Sequence, residues 1–183
     1  MTMRRNIGVL HPGAMGATVA QTLLDSGHSV GWVSSGRSEA TAQRASGCRA
    51  FRSLDEIAGW ADALISVCPP YGAVELAERV HATGFTGLFI DANALAPATS
   101  FKIAEVVGLG AYVDGGIIGP PATTAGTTRL YLSGQHAAGV AAWFSAGALQ
   151  AIALPFDESD QPDQQVAASM LKMSYAAYSK GAS

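Results

Sequence analysis

The stretch Asn6-Ile7-Gly8-Val9-Leu10-His11-Pro12-Gly13-Ala14-Met15-Gly16 decides how this chain folds. Ile7 to Leu10 is a short apolar run that stops at a tight turn. Beyond the turn, Val19, Ala20, Leu23 and Leu24 share one face of a helical period, and Asp25-Ser26-Gly27 closes it. Apolar run, glycine turn and amphipathic helix, in that order, read as the start of a dinucleotide-binding βαβ unit. Gly13 stands where a pyrophosphate would approach the backbone, next to the free N–H groups of a helix start. Gly16 stands where the helix must pack closely on the strand. The first glycine of the G-x-G-x-x-G fingerprint is here His11, and Pro12 removes one backbone N–H from the turn. A bare G-x-x-G also suits a helix that simply needs two small residues for packing, so other parts of the chain must weigh in.

The chain has 183 residues, of which 49% are hydrophobic and 14% charged, and it carries a net charge of −3. That is enough for one well-packed domain with little room for a second. The charge leaves no broad basic surface for nucleic acid. No apolar run reaches membrane-spanning length, and Ile7 to Leu10 is too short for a signal-peptide core. Cys48 and Cys68 form no disulfide framework, which points to free thiols in a reducing, cytoplasmic setting. His28, His81 and His136 lack metal-ligand spacing, so no metal is expected.

Along the chain, β-branched or apolar runs alternate with helix-period segments. Strands are expected at Ile7–Leu10, Ser29–Val33, Ala50–Phe51, Leu64–Val67, Leu88–Ile90, Tyr112–Val113, Arg129–Leu132 and Ile152–Leu154. Helices are expected at Ala14–Ser26, Glu39–Ala45, Leu54–Ala58, Ala73–His81, Thr99–Val107, Ala138–Phe144 and Asp163–Lys180. The alternation predicts an α/β fold, a Rossmann-type doubly wound and mostly parallel sheet with helices on both faces. Ser38 and Ser53 read as N-caps with acidic first turns. Gly115 to Pro121, continued by Thr123 to Thr128, reads as a long loop. Asp157 to Asp163 reads as a connector, and the final helix offers Val166, Met170, Met173 and Ala177 as one apolar face. Residues 1–160 are thus expected to form the dinucleotide-binding domain and 161–183 the start of a long helix.

Candidate chemistry falls at the ends of the strands, where open parallel sheets bind ligands. After the second strand comes Val33-Ser34-Ser35-Gly36-Arg37-Ser38, with no acid to accept from a ribose 2′-OH. Ser34, Ser35 and Arg37 could instead hold a 2′-phosphate, which favours NADP while leaving NAD possible. The same loop would also serve as plain solvated surface. Cys68, Pro69 and Pro70 end the fourth strand in a stiff lip beside the cofactor. Cys68 has no partner that would depress its pKa, so it reads as packing. Asn93, at the end of the next strand, is a contact candidate, whereas Asp91 and Asp114 could equally cap loops. Lys172 is one of three lysines. It lies near Ser169, Tyr175 and Ala176, where partial desolvation would suit it to proton transfer, although a snorkelling surface lysine fits the same pattern.

Gly13-Ala14-Met15-Gly16, Val67-Cys68-Pro69-Pro70, Asp114 to Gly126-Thr127-Thr128, and Lys172 occur in an order and spacing that resembles the β-hydroxyacid dehydrogenase superfamily. That superfamily includes 6-phosphogluconate and 3-hydroxyisobutyrate dehydrogenases. The chain looks most like the phosphogluconate-dehydrogenase-like NAD(P)-binding branch. The resemblance implies an NADP-dependent oxidoreductase in which His11 to Gly16 hold the dinucleotide and Lys172 is the general acid/base. The family serine that contacts a substrate carboxylate aligns with Ile118, followed by Gly119 and Pro120. The two asparagines after the lysine align with Tyr175 and Ala176. A simple hydroxy acid loses its donors there, so a less polar carbonyl, alcohol or imine substrate is implied, with Tyr175 supplying an O–H. Family members continue into an all-helical domain that completes the pocket and forms a homodimer. This chain stops where that domain would begin, which suggests a truncated piece. The alternative is a nucleotide-binding or regulatory module without catalysis, dimerising through its terminal helix.

Overall fold

The computed structural model describes residues 3–156 and 165–181. Eight strands form one sheet: β1 (Asn6–Leu10), β2 (Ser29–Val33), β3 (Arg49–Phe51), β4 (Ala63–Ser66), β5 (Leu88–Asp91), β6 (Tyr112–Ile118), β7 (Arg129–Ser133) and β8 (Gln150–Ala153). Their order is β3-β2-β1-β4-β5-β6-β7-β8. All neighbours pair in parallel except β6 and β7, which are antiparallel. The first six strands thus have the doubly wound 3-2-1-4-5-6 order, with the crevice of that topology between β1 and β4. The helices are α1 (Ala14–Asp25), α2 (Glu39–Arg44), α3 (Leu54–Ala58), α4 (Ala73–Ala82), α5 (Pro97–Val107), α6 (Ala137–Ala141) and α7 (Ala167–Gly181).

The two-residue period of the strands sorts the core onto two faces. Ile7, Val9, Ile65, Ile90 and Val113 meet Val19, Leu23 and Val140, on the side of α1 and α6. Leu10, Leu64, Phe89 and Tyr112 meet Ile57, Leu76, Ile103 and Val166, on the side of α3, α4, α5 and α7. Ser38 caps α2 by accepting from Thr41 N, and Ser53 caps α3 by accepting from Glu56 N. Gly108, at φ 91, ends α5.

Three expectations change. Gly115 to Ile118 is strand, not loop, because β7 pairs with it residue by residue. The glycines there serve packing: a Cβ on Gly115 would lie 2.7 Å from the Asp91 carbonyl oxygen, and one on Gly116 would lie 2.9 Å from that of Ala168. The second change concerns the terminal helix. Its inner face is Ala168, Ser169, Lys172 and Ala176, while Met170 and Met173 point outward and Val166 lies buried in the core. The small residues face the sheet because the glycines of β6 let the helix backbone come close. The connector read at 157–163, and the helix start read at Asp163, lie outside the described residues. Helix α6 is also shorter than expected, and Trp143 and Phe144 enter the core beyond its end.

Candidate functional site

Strands β1, β4, β5 and β6 run parallel and end on one edge of the sheet. Leu10 pairs with Ser66, Ser66 with Asp91, and Asp91 with Asp114. Strand β6 runs on to Ile118, four residues past that line. Ile117 and Ile118 therefore stand above the edge from which the turns at His11 and Cys68 leave the sheet.

The turn after β1 is built around His11. Its φ of 67° is in the left-handed region, and among the described residues it is the one non-glycine with positive φ. This is the conformation that a fingerprint glycine adopts freely, and histidine is among the residues that tolerate it best. Gly13 N donates to the His11 carbonyl at 2.7 Å. That carbonyl also lies 2.6 Å from where a Gly16 Cβ would be, so Gly16 has to be glycine. Pro12 is buried, Met15 half-buried, and Ala14 exposed. A Cβ on Gly13 would meet nothing within 4 Å, so the turn opens onto free space. Helix α1 has no side-chain cap and no acidic residue in its first turn. Its N–H groups and the positive end of its dipole are left for an anion. A pyrophosphate fits these features.

Beside the turn lies a cleft of 480 Å³ between β2, α3 and α4. His11, Ser35, Arg37, Arg52, Ser53 and Arg79 line it, and Asp55 is its one carboxylate. Burial, followed by the charges of Arg37 and Arg79, lowers the His11 pKa to about 4, while the Leu10 carbonyl pulls weakly the other way. The ring is therefore neutral at pH 7, and its Nδ1 is buried without a partner. Ser35 and Arg37 both line the cleft. Ser34 does not: its hydroxyl donates to the Phe51 carbonyl at 3.1 Å and it is absent from the cleft wall. Sequence reasoning missed Arg52 and Arg79. Arg52 immediately precedes the Ser53 cap, and Arg79 lies on an amphipathic helix that reads as ordinary surface.

The lip after β4 is held by Asn93, and here the expectation needs correcting. Asn93 is buried, and its polar groups are already engaged. Its Oδ1 accepts from Cys68 N at 2.6 Å, and its Nδ2 donates to Ser66 Oγ at 2.8 Å. It fixes the backbone of Cys68 rather than presenting a free amide. Pro69 and Pro70 then lead into a single 3₁₀ turn, exposed at the edge. Burial pushes the Cys68 thiol upward, in keeping with a packing role.

On the far side, the loop after β6 folds back on itself. Gly119 has φ 128, and a Cβ there would lie 2.5 Å from the Thr127 carbonyl oxygen. Thr128 Oγ1 donates to the Pro120 carbonyl at 2.6 Å, and Ala122 N donates to Thr18 Oγ1 at 3.1 Å, which ties the loop to α1. Ile118 is half-buried, while Gly119 and Pro120 are exposed. Lys172 is half-buried, and its Nζ donates to the Ile117 carbonyl. Burial lowers its pKa. Tyr175 is 48% exposed and makes no hydrogen bond with Lys172.

Asp91 and Asp114 lie under this region, not in it. Burial raises the pKa of Asp91 to about 7, against its bond from Asn93 N and with a further push from Asp114. Its Oδ2 has no partner. Burial likewise raises Asp114, although four donors pull the other way.

No family model and no curated protein matches the chain. Solved structures do. One is a conserved protein of unknown function with structural similarity to 3-hydroxyacid dehydrogenases: TM-score 0.80, 23% identity, covering 97% of this chain and 65% of that one. An imine reductase from Myxococcus stipitatus in complex with NAD+ aligns at TM-score 0.73 and 20% identity, covering 98% of this chain and 62% of that one. A reductive aminase from Aspergillus terreus in complex with NADPH and ethyl levulinate aligns at TM-score 0.72 and 17% identity, covering 98% and 62%. The chain spans under two thirds of the length of each. The resemblance read from the four motifs therefore holds at the level of the fold, which is the Rossmann-type α/β fold of these proteins.

Proposed function

We propose that this chain is the cofactor-binding part of an NADP(H)-dependent oxidoreductase of the β-hydroxyacid dehydrogenase-like type. The observation that carries the reading is a convergence on one sheet edge. An uncapped helix start behind Gly13, a cleft lined by three arginines, and a half-buried lysine of α7 that donates to the overshooting strand β6 all lie along it. The N–H groups of Ala14, Met15 and Gly16 bind the pyrophosphate. Ser35 and Arg37, with Arg52 and Arg79, hold a 2′-phosphate, since paired guanidinium bonds favour a phosphate over a neutral hydroxyl. The Cys68-Pro69-Pro70 lip, braced by Asn93, borders the nicotinamide side. Held by these residues, the dinucleotide would supply hydride transfer to or from a substrate carbon. Lys172 exchanges the proton at the substrate oxygen or nitrogen, and its lowered pKa eases release of that proton.

Ile118 brings an apolar side chain, and Gly119 and Pro120 bring no side-chain donor, to the position facing the substrate. A ketone or imine suits that wall better than a carboxylate, whose buried charge would go unpaired. Tyr175 can donate to the substrate only after its side chain turns inward. Two of the neighbours, an imine reductase and a reductive aminase bound to the keto ester ethyl levulinate, carry chemistry of this kind, which supports the reading. A non-catalytic module remains the second reading, favoured by the exposed Met170, Met173 and Tyr178 of α7, a face suited to a second copy of the chain. NADPH oxidation with a panel of ketones, keto acids and imines separates the two. Under the enzyme reading, Lys172→Ala abolishes turnover and leaves NADPH affinity nearly intact. Unchanged turnover in that variant would defeat the role of the lysine.

A further inference from the structure

Helix α7 starts inside the protein. An α-helix leaves the N–H groups of its first turn without partners, and a nearby side chain in the sequence usually caps them. Here the caps come from other elements. Ser133 Oγ, at the end of β7, accepts from Ala168 N at 3.0 Å. Asp114 Oδ2, on β6, accepts from Ser169 N at 2.7 Å. Asp114 Oδ1 accepts from Ser169 Oγ at 2.6 Å, so the carboxylate grips one residue with both oxygens. Ser133 Oγ also donates to Asp114 at 3.3 Å, and so does Tyr112 Oη. Ser100 Oγ of α5 lies 2.7 Å from Ser169 Oγ. Asp114, Ser133, Ser100, Tyr112 and Ser169 are each at most 1% exposed. A buried carboxylate at a helix N-terminus is favoured by the helix dipole and by charge-assisted bonds.

Two contacts in the same order then tie α7 to β6. Asp114 holds Ser169, and three residues further along each element the Ile117 carbonyl accepts from Lys172. Three strand residues advance about 10 Å, whereas three helical residues advance about 4.5 Å. The long lysine side chain makes up the difference. Between the two contacts Gly116 brings the backbones together, since a Cβ there would sit 3.1 Å from Lys172 Cβ. A helix held at one residue by a bidentate carboxylate cannot turn or slide without moving its next turn, which carries Lys172.

We propose that Asp114 is the positioning residue for Lys172. By capping α7 from β6 it fixes the turn on which the amine is carried, and so fixes the amine against the Ile117 carbonyl. The inference rests on the reading of Lys172 as the proton-exchanging group. It adds a role for an acid that touches neither cofactor nor substrate.

The test is NMR of the full chain with lysine labelled with ¹³C at Cε. The chain has three lysines, so the spectrum holds three side-chain signals, and a Lys172→Arg variant assigns the one in question. The signals are titrated in the unmodified chain, in Asp114→Asn and in Ser169→Ala. The expected result is that Lys172 titrates below the ordinary lysine range in the unmodified chain and moves upward, toward that range, in Asp114→Asn. Ser169→Ala, which keeps the backbone bond and loses only the hydroxyl contacts, moves it less in the same direction and serves if Asp114→Asn does not fold. NADPH affinity is unchanged in both. A merely structural acid would lower thermal stability and leave the Lys172 titration where it was. A lowered Lys172 that stays lowered in both variants overturns the positioning role alone. An ordinary titration in the unmodified chain overturns the proton-exchange reading and the positioning role with it.

Discussion

Gly13 and Gly16 lie three residues apart in one turn, and alanine at each should do opposite things. At Gly16 a Cβ would sit 2.6 Å from the His11 carbonyl oxygen and 3.5 Å from Val67 Cβ. The first contact is with backbone, inside a turn already closed by the bond from Gly13 N to the same oxygen. Either the turn opens or α1 lifts from the sheet. Overpacking of this kind costs about 1–3 kcal/mol. For a chain of this size each kcal/mol moves the melting temperature by about 2–4 °C, so Gly16→Ala should melt several degrees lower. At Gly13 the added Cβ meets nothing within 4 Å, and the φ of −67° suits any residue. Gly13→Ala should therefore melt within about 2 °C of the parent, since surface changes without a lost contact stay within about 0.5 kcal/mol. The space its methyl enters is where a pyrophosphate would approach the backbone. Displacing the phosphates from two or three N–H groups removes charge-assisted bonds of about 1.5–3 kcal/mol each, so NADPH affinity should fall at least tenfold. Thermal denaturation and calorimetric titration on the same preparations read both quantities. NADPH binding by Gly13→Ala at parental affinity would refute the phosphate turn. Parental stability in Gly16→Ala would refute the packing argument.

Three further outcomes are expected. Arg37→Ala and Arg79→Ala should each weaken NADPH binding about tenfold or more while changing NADH binding little, because both line the cleft proposed for the 2′-phosphate; equal losses for the two nucleotides in a calorimetric comparison would remove them from that role. His11→Gly should raise the melting temperature, since a non-glycine residue at φ 67 stores about 1–2 kcal/mol of strain, and an unchanged or lower melting point would show the imidazole supplying a compensating contact. Asp91→Asn should stabilise the protein at pH 8 and not at pH 5. With its carboxyl raised to about 7 in the fold, native Asp91 binds a proton that the unfolded chain gives up near 4, so stability falls as pH rises through that window, and the amide escapes the loss. Denaturant midpoints for both proteins at the two pH values check the sign.

Much of the fold was legible because strand and helix periods alternate cleanly and Ser38, Ser53 and Gly108 mark helix ends. Residues 115–118 were not legible as strand. Gly-Gly at that place has the composition of a loop, and only pairing with β7 and the close approach of α7 explain two glycines in a strand. The inner face of α7 was misassigned for a related reason. Hydrophobic periodicity favoured Met170 and Met173, whereas contact with a glycine strand selects small residues such as Ala168 and Ser169. Along the cleft wall, residues adjacent in sequence could be read together, whereas residues brought in from other elements could not. Ser35 and Arg37 follow one strand and could be read together. Arg52 and Arg79 reach the same cleft from the β3–α3 turn and from α4, and nothing local marks them. Asn93 and Asp114 were recognised as polar residues at strand ends, but their partners, Cys68 N and Ser169, are distant in sequence. Sequence spacing gave no way to tell a brace from a ligand contact.

The most direct test of the dinucleotide reading is a side-by-side titration of NADPH and NADH into the purified chain, followed by calorimetry. Saturable NADPH binding, at least tenfold tighter than NADH, is the expected result. It would tie the Gly13 turn and the arginine cleft to one ligand. Failure of both nucleotides to bind would contradict the account at its centre, and equal affinity for the two would remove the 2′-phosphate from the cleft.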